Sequence, residues 1–334
     1  MRIAVANPAG PRSFARYAQA LCSSLSAQGV RLQGSADAHR PHLFWNPYGG
    51  WGEAPVWPGS SRTALVVSFH GAAGWSKPLA LVYGREPTTA MHNWAQVQRE
   101  RWEPLLSAAN AILVPSRYAQ QELLDLFSLK PQRVHVVPLG HDPRLFNAHG
   151  PVAEGVGFLH VSAGGPVKRV GLILDAYALL AAPETPLTLV LPQERWPTTV
   201  PPGVRLLEPV DNDLDLAALY RGALALLQPS AWETFGLPAV EAAACGTPVI
   251  VSANSAPAEI WSDHAFLLQS DQAWELASAM RKMMDPELRR QMTARAMERA
   301  QELTWDACAA KTLEVFRRVR YKQRIWHFLP WNKT

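Results

Sequence analysis

LALLQPSAWETFGLPAVEAAACGTPVIVS, residues 224–252, is the stretch from which the rest of the chain can be read. Its first apolar run, Ala223 to Leu227, is short and bounded by Pro229 and Ser230, as a buried strand would be. A second run, Val249 to Val251, closes it. Between them Pro238 stands where a helix would begin and Gly246 just beyond where it would end, the usual placement of these residues at helix termini. The stretch therefore predicts strand, loop, short helix, strand. In such a unit the loop opens at the carboxyl ends of a parallel sheet, and the helix N-terminus offers free N–H groups that suit a phosphate. Glu233 and Glu241, eight positions apart, flank that place. Carboxylates repel phosphate but accept hydrogen bonds from hydroxyls, as on a ribose and a sugar ring. Together these features describe a nucleotide sugar. The alternative is an ordinary buried strand–helix–strand with two solvated glutamates.

The segment PSAWETFGLPAVEAAACGTPVI (229–250) resembles the E-x7-E signature of retaining GT-B glycosyltransferases, with PS, E, FG, E, A, G and PV at the usual spacing. That large family includes sucrose-phosphate synthases, bacterial-type glycogen synthases and many lipopolysaccharide glycosyltransferases. The resemblance implies two Rossmann-like, doubly wound α/β domains facing a cleft, with a C-terminal helix returning to the first domain. It implies that Glu233 holds hydroxyls of the donor sugar and Glu241 the ribose. The N–H groups around Phe235, Gly236 and Leu237 would face the donor's phosphates.

The chain has 334 residues, 48% hydrophobic and 18% charged, enough for two domains with separate cores. The opening MRIAVANPAG reads as a first strand and not as a signal peptide. No apolar run approaches the ~18 residues needed to cross a bilayer, so the expectation is a cytoplasmic protein, at most peripheral at a membrane. Cys22, Cys245 and Cys308 form no metal or disulfide pattern and read as core residues. Residues 311–334 hold seven Lys/Arg against one Glu, whereas the remainder holds 25 basic and 27 acidic residues. The high pI therefore belongs to the tail, which is unlike the spread basic face of a nucleic-acid-binding domain. In that tail Arg320, Lys322 and Arg324 interleave with Tyr321, Trp326, Phe328 and Trp331. The pattern suits an anionic membrane surface or an anionic polymer, or a solvated tail packed on the first domain.

Residues 1–150 read as a first domain. Arg2–Ala6 is a strand, and a turn-rich loop containing Gly10 follows; in the resembling family this loop touches the donor's phosphates. Ser13 is placed to cap the next helix. The G-x-G-x-x-G fingerprint is missing, which argues against a dinucleotide cofactor. From His39 to Ser61 the aromatic, Pro- and Gly-rich sequence reads as a long connection, either an acceptor-side aromatic platform or a loop that buries its own rings. Thr63–Phe69 is a buried strand, and His70 at its carboxyl end is expected to point into the cleft. The resemblance places His70 near the donor sugar. HVVPLGHDPRLF (135–146) is similar to the family segment that ends the first domain, with Leu139 replacing the usual Asn.

The second domain, 151–310, opens with Val156–Val161 and the loop Ser162–Arg169. Its glycines, Gly165 among them, permit close backbone approach, and Lys168 with Arg169 suits a diphosphate. The family pattern has an Arg where this chain has Ala163 and a Lys where it has Lys168, so either Arg169 compensates or the site is weaker. By the same resemblance the base of the nucleotide lies against backbone near Val210. Asp211 to Asp215 contains overlapping D-x-D patterns, but capping of the following helix by Asp213 explains them, and no catalytic metal is expected. Residues 311–334 form a basic, aromatic C-terminal segment.

These readings predict metal-independent transfer of a sugar from a nucleotide diphosphate sugar to an acceptor hydroxyl with retained configuration. No cofactor beyond the donor is expected. The acceptor, whether lipid-linked glycan, small molecule, protein or nucleic acid, stays open, as do the base and the sugar. A catalytically degenerate binding protein of the same fold is the alternative, and an NAD-dependent oxidoreductase a more distant one.

Overall fold

The structure, a computed structural model, describes residues 1–6, 12–35, 41–49 and 63–328, and the side chains of these except 12, 13 and 324–328. In chain order the first part runs β1 (Arg2–Val5), α1 (Arg12–Ala27), β2 (Arg31–Gly34), β3 (Leu43–Gly49), β4 (Ala64–Phe69), α2 (Ala73–Ser76), α3 (Leu79–Tyr83), α4 (Thr89–Ala108), β5 (Ala111–Val114), α5 (Arg117–Leu126) and β6 (Val134–Val136). There follow β7 (Gly157–Val161), α6 (Val170–Leu180), β8 (Leu187–Val190), β9 (Val204–Leu207), α7 (Asp213–Gly222), β10 (Ala223–Gln228), α8 (Leu237–Ala244) and β11 (Val249–Ser252). The chain continues with α9 (Ala256–Trp261), β12 (Phe266–Leu268), α10 (Ala273–Met284), α11 (Pro286–Glu302) and α12 (Trp305–Phe328).

The chain divides into two units. One comprises Met1–Lys77, Pro87–Leu139 and Trp305–Thr334; the other comprises Pro78–Glu86 and Gly140–Thr304. Each holds a six-stranded sheet, in the order β2-β1-β3-β4-β5-β6 and β12-β11-β10-β7-β8-β9 respectively. Every pairing is parallel. Helices cover both faces of such sheets, which is why β4, β5 and β11 are apolar runs buried at every position rather than alternating.

Three boundaries differ from the sequence reading, each for a local reason. The expected connection 39–61 contains β3, buried along its whole length, with Trp45 fully enclosed. Pro47 is tolerated there because the pairing with β4 slips in register between Asn46 and Gly49, so no ladder bond is asked of it. Gly49 is required in the strand because a Cβ would stand 2.5 Å from the Ser68 carbonyl oxygen. Trp45 is thus core and not a platform; residues 50–62 lie outside the described part. Second, the divide between units falls at Leu139/Gly140 rather than 150/151. Gly140 presses against the Thr304 backbone, His141 pairs with Thr304 and donates its own N–H to Leu303, and Phe146 packs on Tyr220. Third, the C-terminal segment of the first unit begins at Trp305, not 311, with Trp305 against Tyr17 and Phe316 against Trp45. Among the described residues no helix is long and apolar enough to cross a membrane.

The core of the second unit lies between its sheet and helices α6 and α10, joining Phe158, Ile173, Tyr177, Leu189, Leu227, Ile250 and Met280. That packing fixes where the carboxyl ends of β7 and β10 stand. From those two ends the candidate site is built.

Candidate functional site

β10 pairs with β7 on one side and β11 on the other, so the loop after Gln228 emerges from the middle of the sheet. The loop is held at several points. Ala231 N–H donates to the Val167 carbonyl (2.8 Å), Glu233 N–H to the Ser255 hydroxyl (3.2 Å), and Ala256 N–H to the Glu233 carbonyl (3.2 Å). Gly236 turns the chain into α8 with φ +93°, where a Cβ would come 2.8 Å from the Gln228 amide nitrogen. Only glycine meets both demands at low cost. Pro238 follows in the first turn of α8, as the sequence predicts.

The Glu233 carboxylate is buried and gathers three donors on one oxygen. Oε1 accepts from Lys168 Nζ in a close ion pair, from Gln228 Nε2 at 3.0 Å and from Ser230 Oγ at 3.1 Å. Burial pushes this carboxyl up, but the Lys168 ammonium and the two neutral donors outweigh it and leave it below the ordinary glutamate value. At neutral pH Glu233 is therefore ionised, an acceptor of hydrogen bonds and not a donor.

Lys168 stands at the end of a short 3-10 turn, Pro166–Lys168, in the loop after β7. That loop is ordered from beneath by His160, a fully buried side chain on β7. Burial lowers its imidazole to about 4, so it is neutral. Nδ1–H donates to the Leu227 carbonyl at 2.7 Å, Nε2 accepts from the Ser162 hydroxyl at 2.9 Å, and the Ser162 oxygen accepts from Gly164 N–H at 3.1 Å. The chain of bonds ties β10 to the glycine loop. Because the folded pKa lies below the unfolded one, the unfolded chain takes the proton first as pH falls. Stability is then full above about pH 6.5 and lost toward pH 4, by about 2 kcal/mol at pH 5 for this group. Urea unfolding at pH 7 and pH 5 should show that loss, and it should shrink in His160→Asn.

Other predicted residues stand as follows. Gly165 lies in the same loop with open space before it. Phe235 is buried and Leu237 half-buried at the start of α8. Arg169 is turned onto Asp271 in a two-point ion pair, so its charge is already met. Glu241, in the middle of α8, is buried and accepts from the Tyr220 hydroxyl at 3.0 Å. Val210 is half-buried in the loop after β9. In the first unit, His70 is buried at the end of β4, bonded through Nε2 to the Pro47 carbonyl at 2.8 Å and packed against Phe14 and Tyr17. Burial lowers it to about 4, so it too is neutral. Gly10 lies outside the described residues, as does the Ser13 side chain. The helix after Asn212 is capped by Asn212 itself, whose side chain accepts from Leu214 N–H at 3.0 Å; Asp213 and Asp215 occupy the first turn and favour the dipole.

Sequence reasoning missed Gln228, Ser230, Ser255, His160 and Asp271. Their partners are remote in the chain or lie behind ordinary loop and strand residues. It also missed α3, which packs in the second unit, where Gly84 meets Pro166 of the lysine loop.

A profile of glycosyl transferases group 1 matches residues 198–299, and one of glycosyltransferase family 4 matches residues 8–145. The chain is 30% identical over 335 residues to D-inositol 3-phosphate glycosyltransferase of Kineococcus radiotolerans, spanning 88% of this chain and 74% of that protein. The chain belongs to the group 1 glycosyltransferases. Another relative in this family, MMP alpha-(1->4)-mannosyltransferase of Mycolicibacterium hassiacum, is 31% identical over 61% of this chain and 53% of its own. Among solved structures, Anabaena HepE in complex with UDP-glucose superimposes with TM-score 0.71 at 14% identity, over 95% of this chain and 100% of that one. Sucrose-phosphate synthase from Thermosynechococcus elongatus gives 0.68 at 18% identity, over 96% and 99%. These likenesses establish the GT-B fold for this group 1 glycosyltransferase.

Proposed function

We propose that this glycosyltransferase takes its sugar from a nucleotide diphosphate sugar, passes it to an acceptor hydroxyl with retained configuration, and needs no cofactor beyond the donor. The observation that carries the reading is the Lys168–Glu233 pair set beside the start of α8. As the bond from the anomeric carbon to the diphosphate breaks, negative charge grows on the leaving phosphate and positive character on the sugar. Lys168 and the backbone N–H groups at Phe235 to Leu237 supply donors to the first; they are held in place before the reaction, so little reorganisation is spent. Glu233, kept ionised, holds sugar hydroxyls, and Glu241 the ribose. The acceptor proton passes to the departing phosphate on the same face, and no covalent nucleophile is required.

That HepE carries UDP-glucose makes UDP the first probe, and the relatives' name makes D-inositol 3-phosphate the first acceptor, with lipid-linked glycans next. The test is a thermal-shift panel of UDP, GDP and ADP with their sugars, alongside NAD. A ligand that binds only the folded state raises its melting temperature. One diphosphate and its sugar should do so and NAD should not. Transfer to an acceptor, with the anomeric coupling of the product read by NMR, then separates an enzyme from a degenerate binder.

A further inference from the structure

We infer that Arg195, outside the lysine loop itself, is the guanidinium that meets the donor's diphosphate; the inference rests on the donor reading above. The two cations of the loop Ser162–Arg169 are already occupied. Lys168 is paired with Glu233 and Arg169 with Asp271. Arg195 is exposed, and among the described residues its side chain has no acidic partner. Its stem lies directly on the loop: a Cβ at Gly164 would stand 2.7 Å from both Cβ and Cγ of Arg195. Gly164 (φ +71°) thus has a second reason to be glycine, since any side chain would displace the arginine.

The placement is built and not incidental. Arg195 ends a 3-10 turn, Gln193–Arg195, whose two flanks are fixed: Arg195 N–H donates to the Pro192 carbonyl (2.8 Å) and Trp196 Nε1–H to the Leu191 carbonyl (2.9 Å). The space before the neighbouring Gly165 is open. An exposed guanidinium with no acidic partner among the described residues, its stem seated on Gly164 of the loop that also carries Lys168, suits a dianionic group bridging the two. A planar fork of donors suits phosphate oxygens in two-point contact.

The test measures binding by calorimetry to the full chain, using UDP, GDP and ADP, each beside its nucleoside, for the wild type, Arg195→Ala and Arg195→Lys. The diphosphate that binds the wild type should bind Arg195→Ala about tenfold or more weakly, in line with loss of a charge-assisted contact. Its salt dependence should flatten, Arg195→Lys should recover part of the affinity, and nucleoside binding should not change. Equal diphosphate affinity in wild type and Arg195→Ala overturns the inference while leaving the donor reading intact. A wild type that binds none of the diphosphates overturns both. Unchanged thermal unfolding of the apo variants, expected for an exposed side chain, separates lost contact from lost fold.

Discussion

Glu233→Ala should lower the rate of sugar transfer by about a thousandfold, the scale seen when a placed electrostatic group is removed from a reacting centre. The substitution removes the acceptor on which Lys168, Gln228 and Ser230 converge, so Lys168 loses its fixed position and Gln228 keeps a buried amide with no carboxylate to meet. Glu233→Gln keeps the shape and one acceptor oxygen but not the charge. If the carboxylate acts on sugar hydroxyls, the glutamine variant should bind nucleoside diphosphate normally and still transfer slowly. Initial rates with a saturating donor, next to diphosphate affinity, check this. A glutamine variant with wild-type turnover would remove Glu233 from the chemistry and leave it a structural anchor.

Lys168→Ala should act in a different way. It strips a buried carboxylate of its only cationic partner among the described contacts, and breaking such a pair costs about 3–5 kcal/mol if the charge is retained. The group escapes part of that penalty by taking up a proton. Burial, no longer outweighed by the ammonium, then pushes the Glu233 carboxyl upward. The expected result is a fall of about a hundredfold in kcat/KM for the donor together with an acidic limb of the pH profile displaced to higher pH. Lys168→Arg should restore charge and much of the profile. Turnover of Lys168→Ala at the wild-type level, with an unmoved acid limb, would take the lysine loop out of the site.

How much of this was legible depends on where the determining contacts lie. The central stretch was legible because each of its boundaries carries a residue with one strong backbone reason: Pro238 in the first turn, Gly236 and Gly246 at positive φ, apolar runs on either side. β3 was illegible because Pro47 and Gly49 signal a loop in sequence, and only the register slip against β4 reconciles them with a strand. Capping by Asn212 instead of Asp213 is a shift of one residue that composition does not resolve, since either side chain can accept an N–H of the turn that follows it. The lysine–glutamate pair spans 65 positions, and its pairing is set by β7 and β10 lying side by side. Arg195 and Asp271 were harder still. Exposed charges in loops obey no periodicity, and what distinguishes them is the neighbour that the fold brings to each.

The return of α12 to the first unit has a consequence for how the protein is made. Trp305 and Phe316 lie against Tyr17 and the enclosed Trp45, and α12 packs on α1. Those partners leave the ribosome hundreds of residues before the helix that covers them. The segment Gly140–Thr304, by contrast, has its whole sheet in hand once Leu268 has emerged. The later half is therefore the half that can mature during synthesis, while the earlier one waits with an apolar face uncovered until α12 is released. Loss of the C-terminus by a premature stop would strike hardest at the part of the protein encoded first.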